Sequence, residues 1–140
     1  MLEYSLNMEK SKELYKQHKR VIKQKECYNN VFRVISAHWN KLQSGEWKVA
    51  YGYMTLLENL LCRHCFVLDE NNEVLDPTIF THTLVDAEKQ YFVMKLFNDP
   101  REYLEALEWE EGYPALSSTL HQCEKSAWNW AMENGFILTG

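Results

Sequence analysis

The sequence predicts an α+β fold in which an antiparallel β-sheet packs against N-terminal and C-terminal helices. Apolar residues at helical spacing mark both ends of the chain, whereas the middle holds runs rich in β-branched and aromatic residues. Helices followed by strands and then by helices are typical of α+β folds with an antiparallel sheet. A length of 140 residues fits one domain, residues 1–140. A hydrophobic content of 46% and an aromatic content of 14% argue against a disordered chain.

Two helices are predicted ahead of the first strand. Residues 8–24 form the first, because apolar side chains recur along one face, namely Leu14, Tyr15, His18, Val21 and Ile22. Residues 26–43 form the second, whose apolar stripe contains Val31, Phe32, Val34, Ile35 and Trp39. Ser44 and Gly45 then provide a good helix stop.

Strands are predicted for the central residues. Residues 47–54 are rich in β-forming side chains, and Gly52 among them is a candidate for a close approach of another backbone. Residues 55–61 carry leucines at helical spacing, so we expect a short helix or a loop there. Two apolar runs, residues 65–68 and 74–75, flank a polar turn and predict a β-hairpin.

The remainder of the chain predicts one more strand and two helices. Residues 79–84 are expected to form a loop or a short strand, and residues 91–97 a strand. Asp99 then caps a helix that begins at Pro100, which is a favoured start. Ser117 or Ser118 is expected to cap the last helix.

A histidine and an aspartate lie on the two strands of the predicted hairpin. His64 opens the first strand and Asp76 closes the second, where Pro77 ends the pairing because it has no N–H to donate. A three-residue loop at residues 70–72 would place His64 and Asp76 on one face as diagonal neighbours, whereas a two-residue loop would place them on opposite faces. We favour the three-residue loop because it gives the charged aspartate an imidazole partner. A strand histidine that a carboxylate orients is half of a nucleophilic site.

Cys27 is the best candidate for the other half of that site. It stands just before the apolar stripe of the second helix, in or near the first helical turn. Unpaired N–H groups and the positive end of the helix dipole favour a thiolate at that position. The backbone N–H of Cys27 is one candidate donor to an oxyanion, and the side chain of Gln24 is a weaker second.

The order of a cysteine on a helix, a histidine on a strand and an aspartate on the next strand resembles the transglutaminase-like and papain-like superfamily of cysteine enzymes. In its transglutaminase-like branch, a strand that often carries Gly-Tyr follows the cysteine helix, and a strand that ends in Asp-Pro-Thr follows the histidine. The corresponding stretches here are Cys27, Gly52-Tyr53, His64 and residues 76–78. The resemblance covers roughly residues 25–80. No small residue precedes Cys27, where many members keep one.

The resemblance implies a papain-like or transglutaminase-like core with Cys27, His64 and Asp76 as a catalytic triad. It implies an acyl-transfer enzyme without a cofactor, such as an amidase, peptidase, deamidase or transglutaminase-like enzyme that acts on a protein, a peptide or another amide. Gln24 and Tyr53 are weak candidates for substrate binding. The alternative is a catalytically inactive protein-interaction module on the same fold, in which Cys27 is buried and the tryptophan-rich last helix serves an interface.

Charge and composition narrow the classes of partner. The net charge is −5, although the first 25 residues hold seven lysines and arginines against three glutamates. The acidic remainder would repel phosphate, so we expect no nucleic-acid partner. No apolar run approaches the roughly 18 residues that span a membrane. The N-terminus lacks the pattern of a signal peptide, so we expect a cytoplasmic protein.

Four cysteines without a secretion signal are expected to be reduced. Cys62 and Cys65 form a Cys-x-x-Cys pair, but the sequence around them does not predict the βαβ context of a redox motif. A zinc site would need a second ligand pair, and the remaining candidates include no closely spaced pair of the usual type except His121 with Cys123. We therefore expect no metal site, and we interpret Cys62 and Cys65 as small buried hydrophobic residues.

Overall fold

The computed structural model describes residues 1–83 and 85–139. The fold is α+β, as the sequence predicts. In chain order its elements are β1 (Leu2–Tyr4), α1 (Met8–His18), α2 (Cys27–Ala37), α3 (Trp39–Gln43), β2 (Lys48–Leu57), β3 (Leu60–Leu68), β4 (Val74–Leu75), a 3₁₀ helix (Pro77–Thr81), β5 (Tyr91–Phe97), α4 (Pro100–Trp109), α5 (Ser117–Glu133) and β6 (Ile137–Thr139).

Within the described residues, six strands form one mixed sheet in the order β1-β5-β2-β3-β4, with β6 also paired to β3. All pairs along that path are antiparallel, whereas β3 and β6 run parallel. The prediction of an antiparallel sheet is therefore wrong for β6. The chain reaches β6 after α5, and a crossover through a helix is the usual way to bring a strand into a parallel pair.

The outer edge of β3 is shared between two short strands. Leu60–Cys62 pair with β6, and Val67 and Leu68 pair with β4. Residues 63–66 of β3 have no strand partner on that side among the described residues. This gap in the sheet edge includes His64.

The hairpin of β3 and β4 has the predicted three-residue loop. Leu68 pairs with Val74, and the Asp69 N–H donates to the Glu73 carbonyl at 3.0 Å. Asn72 in the loop takes a positive φ of 56°, which asparagine tolerates better than most residues. Continuing this register places Asp76 opposite Phe66 and diagonal to His64 on the same face of the sheet.

Three predicted boundaries near the site are wrong. The first helix ends at His18 rather than at residue 24. The second predicted helix breaks at His38, whose φ of −124° and ψ of 38° are not helical, so it becomes α2 and α3. Residues 55–61 do not form a helix, and only residues 58–59 form a turn, because β2 runs on to Leu57 and β3 begins at Leu60. The helical spacing of the leucines led to the wrong prediction, because Leu56 and Leu57 end one strand of a hairpin and Leu60 and Leu61 begin the other.

Later in the chain the strand and the Asp99 cap are as predicted. Residues 79–84 were expected to be a loop or a short strand, but Pro77–Thr81 is a 3₁₀ helix, and Leu84 lies outside the described residues. The predicted serine cap of α5 is also wrong. Leu116 occupies that position with a φ of 51° and makes no side-chain cap hydrogen bond, whereas the Glu110 carboxylate accepts the Thr119 N–H of the first turn at 2.7 Å.

The two faces of the sheet carry separate clusters of buried residues. Because cross-strand partners share a face, Tyr51 and Cys65 lie on one face, and Gly52 and His64 lie on the other. The Tyr51 face packs against α2 and α4. On the His64 face, Phe66 packs with Ile79 and Tyr91.

Candidate active site

His64 and Asp76 form a buried pair. The Nε2 atom of His64 lies 2.7 Å from Oδ2 of Asp76, and the two residues are 4% and 0% exposed. Burial alone would lower the pKa of His64, but the charge and the hydrogen bond of Asp76 outweigh it and raise this pKa well above its ordinary value. The imidazole is therefore held as an imidazolium at neutral pH, and its Nδ1 remains for a second partner.

Asp76 is itself fixed by two residues that the sequence did not point to. The Tyr91 hydroxyl donates to Oδ2 of Asp76 at 2.7 Å, and the backbone N–H of Asp76 donates to Oγ of Ser11 at 2.9 Å. The Oδ1 atom of Asp76 is buried and has no hydrogen-bond partner among the described residues. The carboxylate is thus oriented through a single oxygen, which both Tyr91 and His64 contact.

Cys27 is the first residue of α2 and is 9% exposed. It packs in the cluster on the Tyr51 face, together with Cys65. Its thiol also interacts with His64 and adds to the rise in the His64 pKa, although His64 belongs to the opposite face of the sheet. The N-terminus of α2 therefore lies at the edge of β3, beside the gap at residues 63–66. The structure brings Cys27, His64 and Asp76 together.

Asn30 ties the start of α2 to the segment after Asp76. Its Nδ2 donates to the Lys23 carbonyl at 2.8 Å and to Oγ1 of Thr78 at 3.0 Å. Its Oδ1 accepts the Lys23 N–H at 2.9 Å. Asn30 is fully buried, so it fixes Cys27 relative to Asp76. The sequence analysis does not predict this role. Asn30 lies one turn before Val34 on the inner face of α2, and a buried amide at such a position indicates a structural hydrogen bond.

The N-terminus of α2 keeps free hydrogen-bond donors. Glu26 occupies the cap position and makes no side-chain cap hydrogen bond. Among the described residues, the backbone N–H groups of Cys27, Tyr28 and Asn29 have no acceptor. Lys25 takes a φ of 63°, a conformation that costs a lysine free energy. The predicted oxyanion donor, the N–H of Cys27, is thus available next to the thiol.

A cavity of about 420 Å³ opens onto Cys27 and His64. Gln24, the weaker oxyanion candidate, also lines it. Tyr53 does not belong to its wall. Its position on the Tyr51 face, where it packs with Leu61 and Ala127, gives no support for substrate binding.

The other predicted sites have the following surroundings. All four cysteines are free thiols, and burial raises the pKa of both Cys62 and Cys65. No cluster of three or more histidine, cysteine, aspartate or glutamate side chains suited to a metal ion occurs among the described residues. In the same part of the chain, every helix is too short or too polar to cross a membrane.

Comparisons of the chain with protein-family models, with curated proteins and with solved structures found no match. The site must therefore be interpreted from its own geometry.

Proposed function

We propose that this chain is a thiol-dependent acyl-transfer enzyme that uses Cys27 as nucleophile, His64 as proton carrier and Asp76 as the group that orients His64. The observation that carries the proposal is the buried pair of His64 and Asp76 at 2.7 Å, with Cys27 on the wall of the same cavity and close enough to the imidazole to raise its pKa. Since Asp76 occupies Nε2, the nitrogen that faces the thiol is Nδ1. This division of the two ring nitrogens is what an acid–base histidine requires.

In the first half of the reaction, the Cys27 thiolate, whose proton already rests on His64, attacks the carbonyl carbon of an amide or ester. A C–S bond forms, and the C=O electron pair moves to the oxygen. The N–H of Cys27 and a neighbouring N–H of the α2 N-terminus stabilise the resulting negative charge. His64 then donates the proton to the leaving amine or alcohol, and the C–N or C–O bond breaks. The product of this half is a thioester on Cys27.

In the second half, water or an amine attacks the thioester while His64 takes its proton. The C–S bond breaks, and His64 returns the proton to the sulfur or keeps it in the ion pair. With water the outcome is hydrolysis, as in an amidase, peptidase or deamidase, and with an amine it is transfer, as in a transglutaminase. The resemblance to the papain-like and transglutaminase-like superfamily supports this chemistry, and so does the order of Cys27, His64 and Asp76 in the chain.

The experiment is competitive alkylation of the folded protein with iodoacetamide at about pH 6.5, followed by mass spectrometry of the peptides. We expect Cys27 to react first, since burial raises the pKa of Cys62 and Cys65 and keeps them protonated. His64→Ala should slow the labelling of Cys27 at least tenfold, a rough figure for the loss of a base partner. His121→Ala is the matched control, because His121 is exposed on α5.

A second arm tests covalent catalysis itself. p-Nitrophenyl acetate should transfer an acetyl group to Cys27 as a thioester, and Asp76→Asn should slow this transfer less than His64→Ala does. Faster labelling of Cys123 than of Cys27, or an unchanged Cys27 rate in His64→Ala, would make Cys27 a structural thiol.

A protein-interaction module is the second candidate, and one observation favours it. Trp128 and Met132 lie one turn apart on α5, and they are 53% and 74% exposed. Exposed aromatic and methionine side chains are enriched in interfaces. In this case the alkylation experiment would find Cys27 inert, and Trp128→Ala would weaken a protein contact without any effect on the thiols.

A further inference from the structure

Cationic side chains line the cavity above Cys27. Lys25, Arg63 and Lys89 belong to its wall, and no aspartate or glutamate of the described residues does. This is unexpected in a chain with 20 acidic and 15 basic residues and a net charge of −5. A concave site lined by one sign of charge focuses the electric field and concentrates ligands of the opposite sign.

The carboxylates that interact with the basic groups of the wall are not themselves part of the wall. Glu124 on α5 forms an ion pair with Arg63, and the fully buried Asp76 lies against His64. The buried Nε of Arg63 still has no hydrogen-bond partner among the described residues. Arg63 is therefore only partly satisfied by its ion pair.

Two backbone carbonyls are among the partners that hold Lys89 in place. Its Nζ donates to the carbonyls of Val85 and Ala87 at 2.9 and 2.7 Å. Burial lowers the pKa of Lys89, and the charges of Asp76 and Asp86 oppose that effect. Lys89 is therefore a partnered member of the wall, and the positive character of the cavity depends mainly on Lys25 and Arg63.

The two histidines of the wall differ in charge. The pair with Asp76 keeps His64 protonated. Burial lowers the pKa of His82, and the neighbouring charge of His64 lowers it further, so His82 is neutral at pH 7. Lys25 is exposed and directly precedes the α2 N-terminus with its unpaired N–H groups. Lysine charge and free backbone donors thus meet on the Cys27 side of the cavity.

We infer that the acyl donor of this site carries a negative charge, such as a carboxylate, close to the carbonyl that Cys27 attacks. This inference rests on the proposed function, and it names the class of substrate. Amides and esters of acidic compounds fit the site, whereas donors with a positive charge at the same place are rejected by Lys25 and Arg63.

The test compares iodoacetate with iodoacetamide as alkylating probes of the folded protein at pH 7 and low salt. Both reagents form the same S–C bond and release iodide, but only iodoacetate carries a carboxylate. We expect the ratio of the two Cys27 labelling rates, iodoacetate over iodoacetamide, to exceed the ratio for free N-acetylcysteine by about fivefold. A charge a few ångströms away in partly screened surroundings produces an effect of this order. Adding about 0.5 M NaCl should reduce the excess.

Lys25→Gln should lower this ratio about twofold, and Lys25→Arg should preserve it. Lys12→Gln removes the same charge from the exposed face of α1 and should leave the ratio unchanged. A ratio no higher than that of N-acetylcysteine, or one that Lys25→Gln does not lower, would overturn the inference. The proposed function would survive either result, because it depends on the effect of His64→Ala on the iodoacetamide rate.

Discussion

Asp76→Asn should destabilise the protein in a way that depends on pH. The substitution keeps the shape of the side chain and can still accept the Tyr91 hydroxyl, but it removes the charge opposite His64. Removing one partner of a buried ion pair costs about 3–5 kcal/mol, because the other charge is left without compensation. His64 can release its proton in the variant, so we expect the lower end of that range, about 3 kcal/mol, near pH 6.

The sign of the pH dependence follows from the direction of the His64 shift. The pKa of His64 in the folded protein is raised above its ordinary value of about 6.5. The ion pair therefore contributes its full stabilisation below about pH 6.5, and this contribution is lost as the pH rises through the folded pKa. In Asp76→Asn, burial lowers the pKa of His64 and is opposed only by the smaller effect of Cys27. The difference in unfolding free energy between the two proteins should thus be largest near pH 6 and shrink toward pH 10.

Urea unfolding of both proteins at about pH 6, 8 and 10 measures this difference. With a denaturant slope of about 1–3 kcal/mol per molar, the midpoint of Asp76→Asn should lie about 1–3 M lower at pH 6. Asp99→Asn is the control, because it makes the same chemical change at an exposed helix cap where asparagine serves equally well. A difference that stays constant or grows between pH 6 and pH 10 would refute the ion pair.

Three further substitutions probe the residues around the site. Tyr91→Phe removes a hydrogen bond to a carboxylate and should cost about 1.5–3 kcal/mol in urea unfolding, whereas Tyr4→Phe, whose hydroxyl has no partner among the described residues, should cost less than about 0.5 kcal/mol. Asn30→Ala leaves buried backbone groups unpaired, so it should lower the thermal midpoint by about 10 °C and also slow alkylation of Cys27. Gly52→Ala would put a Cβ 1.8 Å from a carbonyl oxygen of β5. Unfolding followed by circular dichroism should therefore show that the free energy of unfolding falls by more than about 3 kcal/mol. Gly45→Ala is the control and should cost about 1 kcal/mol, because nothing lies within 4 Å of the added carbon.

The pairing of His64 with Asp76 could be predicted because a hairpin is a local structure. Loop length sets the register, register sets the face, and Pro77 fixes where the second strand ends. The close approach at Gly52 was suggested by a glycine in a run of β-forming residues, and the backbone of β5 is indeed what a side chain there would meet. These inferences required only a few neighbouring residues.

The supports of the site could not be predicted because they come from distant parts of the chain. Ser11 lies 65 residues before Asp76, and Asn30 lies 48 residues before Thr78. Residues so far apart in the chain form no local motif from which their contact could be predicted. The parallel strand β6 was missed for the same reason, since its partner is chosen by how α5 packs rather than by its own residues.

The gap in the outer edge of β3 has a consequence for solubility. Unpaired strand edges recruit other chains and seed aggregation, and proteins usually cover them. Here β6 and β4 pair with the two ends of the edge, and the start of α2 packs beside the stretch between them. The helix α2, which carries Cys27, therefore also hinders the pairing of this edge with a strand of another chain. A variant without a thiol at position 27 would still need this helix in place to keep the edge covered.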